Sequence, residues 1–232
     1  MRTWIVTGAS RGLGRQLALQ LAGRGDRVLA VARDAGGLQA LAAHTDGRIV
    51  PVPLDLAEAR AIRPMLEAAI AAAGGIDGAI NNAGIGAYKP FLDHDEDELL
   101  RVLQVNLGAV MQVCRVVLPH LVARGGGQII NIGSDLGRRP LANMAPYVAT
   151  KHGLLGLNHS LLREFRDRNV RVTLVNPGII DTGFGGGEEG RGDGRGSLRP
   201  SELAAQVLAV LDAPPGIVID EITLHPLGQG DF

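Results

Sequence analysis

The 232-residue chain predicts an α/β fold of the doubly wound kind, one domain with about seven parallel strands and helices on both faces of the sheet. Three observations predict it. Short β-branched runs alternate with longer stretches of helical spacing and high Ala and Leu content. Apolar residues make up 46% of the chain but aromatics only 3%, so the core must be built from Ala, Val, Ile and Leu, as in parallel sheets buried on both faces. No internal repeat and no break in composition divides the chain.

The expected strands are Trp4–Thr7, Arg27–Ala32, Arg48–Pro53, Gly78–Asn81, Gln128–Ile132, Arg171–Asn176 and Ile217–Ile222. Between them the helical pattern covers Arg11–Ala22, Gly36–Ala43, Ala57–Ala73, Asp95–Ala123, Pro146–Arg168 and Ser201–Leu211. Strict alternation implies right-handed crossovers, and ligands of such sheets bind past the carboxyl ends of the strands. The residues that follow each strand are therefore the candidates for function.

Composition narrows the partners. A net charge of −1 with both signs interspersed, and few aromatics, argues against nucleic acid. The single cysteine, Cys114, excludes an intrachain disulfide and a multi-cysteine metal site, and its apolar helical setting marks it as a buried small hydrophobe. No apolar signal region precedes the first strand, and no apolar stretch approaches the roughly 20 residues that span a bilayer. A cytoplasmic protein without a membrane partner is expected. The acids in Asp93–Glu98 fit capping and the helix dipole better than a metal site, and no metal is expected.

The first strand runs into Thr7-Gly8-Ala9-Ser10-Arg11-Gly12-Leu13-Gly14. Glycines here permit a tight turn, let backbone amides approach a diphosphate and let the next helix pack closely, while the helix N-terminus adds partial positive charge. The second strand ends in Ala32-Arg33, where a site for NAD usually has an acid for the ribose 2′-hydroxyl. Arg33 and Arg11 converging on a 2′-phosphate would bind it in bidentate forks and favour NADP(H). The alternative is two solvated arginines, one of them neutralised by Asp34.

After the fifth strand comes Ser134, and further on Tyr147-Val148-Ala149-Thr150-Lys151. Residues four apart share a helix face, so Tyr147 and Lys151 point together past the sheet. An ammonium about 4 Å from the phenol, at an effective dielectric of about 20, would favour the phenolate by about 4 kcal/mol and bring tyrosine toward acid/base work. Alone, such a pair is more often a packing contact.

It does not stand alone. The glycine loop, Asn81-Asn82-Ala83-Gly84 after the fourth strand, Asn106 in the long helix, Ser134, Tyr147 with Lys151, and Asn176-Pro177-Gly178 after the sixth strand occur in order. Together they resemble the short-chain dehydrogenase/reductase family over nearly the whole chain, from Thr3 to about Pro226, and so a Rossmann-type sheet. The resemblance implies that Tyr147 protonates the carbonyl oxygen during reduction and that Ser134 orients that oxygen. Lys151 would hold the nicotinamide ribose, and Asn106 would anchor a water in a proton relay ending at Lys151. Gly8, Ser10, Arg11, Gly12, Leu13 and Gly14 would take the diphosphate end, with Arg33 at the 2′-phosphate. Asp55 and Leu56 would meet adenine, and Asn82, Ala83 and Gly84 the adenosine and its ribose. Pro177, Gly178, Ile180 and Thr182 resemble the segment that clasps the carboxamide.

The resemblance also implies hydride transfer from the B face of the nicotinamide, and a homodimer or homotetramer packed through 95–123 and 146–168. Residues flanking the catalytic set would recognise substrate: Tyr88, Asp135, Leu136, Asn143, Met144, Ile179 and Phe184. Asp135 either recognises an amine or hydroxyl or faces solvent at the pocket mouth. The stretch Gly183–Gly196, glycine at eight of fourteen positions, reads as a substrate lid at about 182–200 or as a surface loop without a recognition role. The expected activity is NADPH-dependent reduction of a small or medium organic carbonyl, or the reverse alcohol oxidation. Two other readings remain: an isomerase or dehydratase on the same scaffold, and a sensor of the NADP(H) pool.

Overall fold

A computed structural model of the chain describes residues 1–43, 45–184, 190 and 196–230. Its seven strands are β1 (Thr3–Thr7), β2 (Arg27–Ala32), β3 (Ile49–Pro53), β4 (Gly78–Asn81), β5 (Gly127–Ile132), β6 (Val170–Pro177) and β7 (Glu221–Leu224). All pair in parallel, in the order β3-β2-β1-β4-β5-β6-β7. The chain winds outward from β1 to β3, then returns to lay β4 on the other side of β1. The crevice past the carboxyl ends of β1 and β4 is therefore the switch point at which such sheets bind ligands.

Alternate residues of each strand feed two cores. Ile5, Leu29, Val31, Ile129, Val172 and Leu174 pack on one face against α3 (Ala59–Ala73), α5 (Ala109–Ala123) and α6 (Ala145–Phe165). Trp4, Val6, Val28, Ala30, Ile130 and Val175 pack on the other face with α1 (Gly12–Gly23), α2 (Ala35–Ala42) and α7 (Pro200–Leu211). Burial on both faces explains why the strands read as near-continuous apolar runs.

The long helix expected over 95–123 is α4 (Glu96–Leu103) and α5 joined by a π turn, Gln104–Gly108, that carries Asn106. Asp95 caps α4 by accepting the Glu98 N–H at 2.7 Å. One expectation fails here. By length and composition, Glu96–Ala123 is long and apolar enough to cross a membrane. Part of its apolar content goes inward, with Val113, Val117 and Leu121 in the core, while Leu100, Leu103 and Met111 stay exposed.

The last strand also lies later than expected. Ile217 donates to the Pro214 carbonyl at 2.9 Å and closes a turn, while Ile217 and Val218 remain exposed. Pairing with β6 begins only at Leu174↔Glu221. Most of the expected lid, 185–189 and 191–195, lies outside the described residues.

A row of buried amides crosses one face of the sheet. Asn81 Nδ2 donates to Asn131 Oδ1 at 2.8 Å, and Asn131 Nδ2 donates to Asn158 Oδ1 of α6 at 2.9 Å. Asn81 Nδ2 also lies 3.6 Å from Cys114 Sγ, whose thiol burial pushes up to about 12.

Candidate active site

A cavity of about 520 Å³ runs along the carboxyl ends of the strands. At one end it is lined by Gly8, Ser10, Arg11, Gly12, Leu13, Arg33, Asp55, Leu56, Asn82, Ala83 and Gly84. At the other it is lined by Tyr88, Ser134, Asp135, Leu136, Met144, Tyr147, Lys151, Pro177, Gly178, Ile179, Ile180, Thr182 and Phe184. The expected residues outside this lining are Gly14, Asn106 and Asn143. Gly14 is buried beneath the loop, and Asn143 is an exposed turn residue with φ of 62°, a left-handed position that asparagine tolerates.

The β1–α1 loop has the features of a cradle for a dinucleotide. Gly8 has φ of 68°, and a Cβ there would stand 2.9 Å from Asn82 Nδ2. A Cβ on Gly14 would collide with the Gly8 carbonyl oxygen. Among the described residues no side chain caps α1, which leaves its first N–H groups for a ligand. Thr7, not singled out in the sequence, braces the floor: its Oγ1 accepts the N–H groups of Asn82 and Ala83 at 2.9 and 3.0 Å, and its carbonyl accepts Asn82 Nδ2 at 2.9 Å.

Asp34 does not neutralise either arginine. It caps α2, accepting the Gly37 N–H at 2.9 Å, and among the described residues Arg11 and Arg33 enter no ion pair. Both are exposed at the cavity rim. Arg101 of α4, also missed in the sequence, lines the same end and stands 3.8 Å from Asp55. These residues fit a phosphorylated dinucleotide: uncapped amides for the diphosphate, free guanidiniums for a further phosphate.

At the catalytic end, β5 runs into Ser134, whose N–H donates to Asn176 Oδ1 at 3.2 Å. Asn176 is in turn held by Glu221 of β7, since its Nδ2 donates to Oε1 at 2.6 Å. Tyr147 and Lys151 lie one turn apart on α6, both buried. Burial, the nearby Tyr88 phenol and the Asp135 charge raise the Tyr147 phenol well above its usual value, against the lowering effect of its hydrogen bond with Ser134.

Close approach of Lys151 does not lower the phenol. In the protein chain alone, Lys151 Nζ instead donates to the Ile132 carbonyl at 2.9 Å and stands 5.4 Å from the Tyr147 ring centroid. Desolvation brings the lysine itself down to about 8. Burial outweighs the charge contact that the spacing suggested.

Asn106 works as a brace. Its Oδ1 accepts the Ile85 N–H at 2.8 Å, and its Nδ2 donates to the Ile85 carbonyl at 2.9 Å and to Thr150 Oγ1 at 3.3 Å. The side chain thus ties the 82–85 segment to α6. Two aromatic rings flank the phenol: Tyr88 at 5.7 Å and Phe184 at 5.9 Å between centroids. Gln229, which no sequence signal marked, enters the lining from the C-terminal segment.

Residues 2–189 match the family model described as short chain dehydrogenase. The D-erythrulose reductase of Gallus gallus is 36% identical over 185 residues, 79% of this chain and 73% of that protein. The alcohol dehydrogenase of the archaeon Thermococcus sibiricus, complexed with 5-hydroxy-NADP, superposes with a TM-score of 0.92 at 28% identity, covering 100% of this chain and 99% of the other. The 3-ketoacyl-(acyl-carrier-protein) reductase of Brucella melitensis, complexed with NADH, gives 0.88 at 26% identity, with 98% of each chain covered. The fold and the site define an oxidoreductase scaffold. The chain belongs to the short-chain dehydrogenase family.

Proposed function

We propose that this chain is an NADP(H)-dependent carbonyl reductase, equivalently an alcohol dehydrogenase, for small or medium organic carbonyls. The observation that carries the reading is the meeting of Ser134, Tyr147 and Lys151 in one cavity with the glycine cradle and two exposed arginines. When bound, the nicotinamide gives or takes the hydride.

The chain's own residues do the rest. Tyr147 holds the proton for the carbonyl oxygen, and its burial keeps the phenol protonated until charge develops beside it. Ser134 supplies a second donor at that oxygen, positioned by Asn176. Lys151, anchored on Ile132, would hold the nicotinamide ribose, and Pro177, Gly178, Ile180 and Thr182 would hold the carboxamide. Asp55, Leu56, Asn82, Ala83 and Gly84 would hold the adenosine. Asn106 contributes by fixing Ile85 and α6. Tyr88, Asp135, Leu136, Met144, Ile179 and Phe184 form the substrate wall. Arg11 and Arg33, with no acid at the end of β2, support NADP(H) over NAD(H), as does the 5-hydroxy-NADP bound by the Thermococcus sibiricus enzyme. Exposed Leu100, Leu103 and Met111 support a homo-oligomer packed through α4 and α5.

Thermal unfolding with NADPH, with NADH and with neither tests the reading. Ligand at 100 times its Kd stabilises by about 2.7 kcal/mol, which for this size raises Tm by roughly 5–10 °C. A rise with NADPH alone is expected; no rise with either cofactor would sink the proposal.

A further inference from the structure

A buried carboxylate stands beside the serine. Asp135 lines the cavity with Ser134 and Tyr147 and is 7% exposed. Its Oδ2 accepts from Gln229 Nε2 at 3.0 Å, and His225 Nε2 lies 3.4 Å from the same oxygen. Gln229 is itself held, because its Oε1 accepts the Ile179 N–H at 3.0 Å. On the other side, Asp135 Oδ1 accepts from the Leu136 N–H at 2.8 Å and from the Ser134 hydroxyl at 3.1 Å.

The Ser134 bond bears directly on the chemistry. A serine hydroxyl has one hydrogen to give. That of Ser134 goes to Asp135, while its oxygen accepts the Leu136 N–H at 3.2 Å and also meets the Tyr147 phenol. To hydrogen-bond a substrate oxygen, Ser134 must withdraw the hydrogen and leave Oδ1 with the Leu136 N–H alone, and losing a donor to a buried carboxylate is costly. A substrate that brings its own donor makes good the loss. Ser134 Oγ and Asp135 Oδ1 are 3.1 Å apart. Two heteroatoms on adjacent carbons in the gauche arrangement stand roughly 3 Å apart. The pair of protein oxygens therefore matches a reacting oxygen with a donor on the neighbouring carbon.

We propose that Asp135 selects carbonyl compounds bearing a hydroxyl or ammonium group on the carbon next to the carbonyl, and in reverse the corresponding vicinal diols and amino alcohols. The proposal rests on the reductase reading above. In the reduction, the carbonyl carbon receives a hydride from the reduced nicotinamide, which is thereby oxidised, and the carbonyl oxygen receives the Tyr147 proton. The C=O π bond breaks as the C–H and O–H bonds form, and Tyr147 regains its proton from solvent. The neighbouring donor keeps its hydrogens and bonds Asp135 throughout, freeing Ser134 for the reacting oxygen.

The test pairs binding with turnover. Binding of 2,3-butanediol, 1-amino-2-propanol and 2-butanol to the enzyme–NADPH complex is read by NADPH fluorescence, and NADPH oxidation is compared for 3-hydroxy-2-butanone and 2-butanone. A hydrogen bond to a charged group predicts a preference of about tenfold or more for the donor-bearing member in both readouts. Asp135→Ala should bring the ratios to within about threefold of unity, a loss of at least several-fold. Asp135→Asn, the closer fit to the fold, should keep part of the diol preference and lose that for the amino alcohol. Ratios near unity in the wild type, ratios unchanged in both variants, or no binding of any of the three alcohols overturns the proposal. Equal turnover of the two ketones that Tyr147→Phe abolishes would leave the reductase reading standing without it. Loss of NADPH binding itself would instead remove the reading.

Discussion

Lys151 Nζ is anchored on the Ile132 carbonyl at 2.9 Å, so the ammonium is held by the end of β5 and not by the phenol one turn before it. Its burial lowers the lysine to about 8, which makes it a cost to the folded chain near neutrality. Between that value and the unfolded lysine's usual one near 10.4, the unfolded state binds more protons than the folded state, so stability rises with pH through this window. Relative to Lys151→Met, wild-type protein without cofactor should gain stability from about pH 8 to about pH 10.4. Chemical denaturation at a series of pH values checks this; a constant difference would contradict it.

Tyr147→Phe removes the proton donor and keeps the ring packed between Tyr88 and Phe184. Turnover should fall by about 10²–10⁴-fold, with NADPH binding, read by fluorescence, little changed. Survival of turnover to within about threefold would exclude Tyr147 as the acid.

Arg11→Ala with Arg33→Ala should weaken NADPH by roughly tenfold or more, since a hydrogen bond to a charged group is worth about 1.5–3 kcal/mol. NADH should barely notice, because both guanidiniums sit at the rim without other partners among the described residues. Equal losses for the two cofactors would sink the idea of a two-arginine clamp.

Gly14→Ala places a methyl against the Gly8 carbonyl. Overpacking of this kind costs about 1–3 kcal/mol, a drop of a few degrees in Tm at this chain length. It should also impair cofactor binding, because relief requires the loop to shift. A variant with wild-type Tm and wild-type NADPH affinity would show that the loop has slack.

The strands and helices were legible because both faces of the sheet are covered, which writes the same apolar strand and amphipathic helix into the sequence repeatedly. The glycine loop, Ser134, Tyr147 and Lys151 were legible because strand ends and helix spacing alone bring them together. What was not legible came from distance in the chain. Gln229 reaches Asp135 across 94 residues, and the charge contact between Lys151 and Tyr147 lost to burial that no spacing encodes. The last strand was misplaced because the apolar pair Ile217-Val218 sits on the surface after a closed turn, with pairing to β6 starting only at Glu221.

The row of amides from Asn81 through Asn131 to Asn158 gives α6 something that aliphatic packing lacks. Greasy surfaces permit small glides along an axis, whereas a directional bond is satisfied at one setting. Asn158 shares the helix stripe of Tyr147 and Lys151, roughly two turns beyond the lysine. It acts as the key in a keyed shaft, so the depth at which α6 offers its phenol to a substrate is indexed from the strands on which the helix packs.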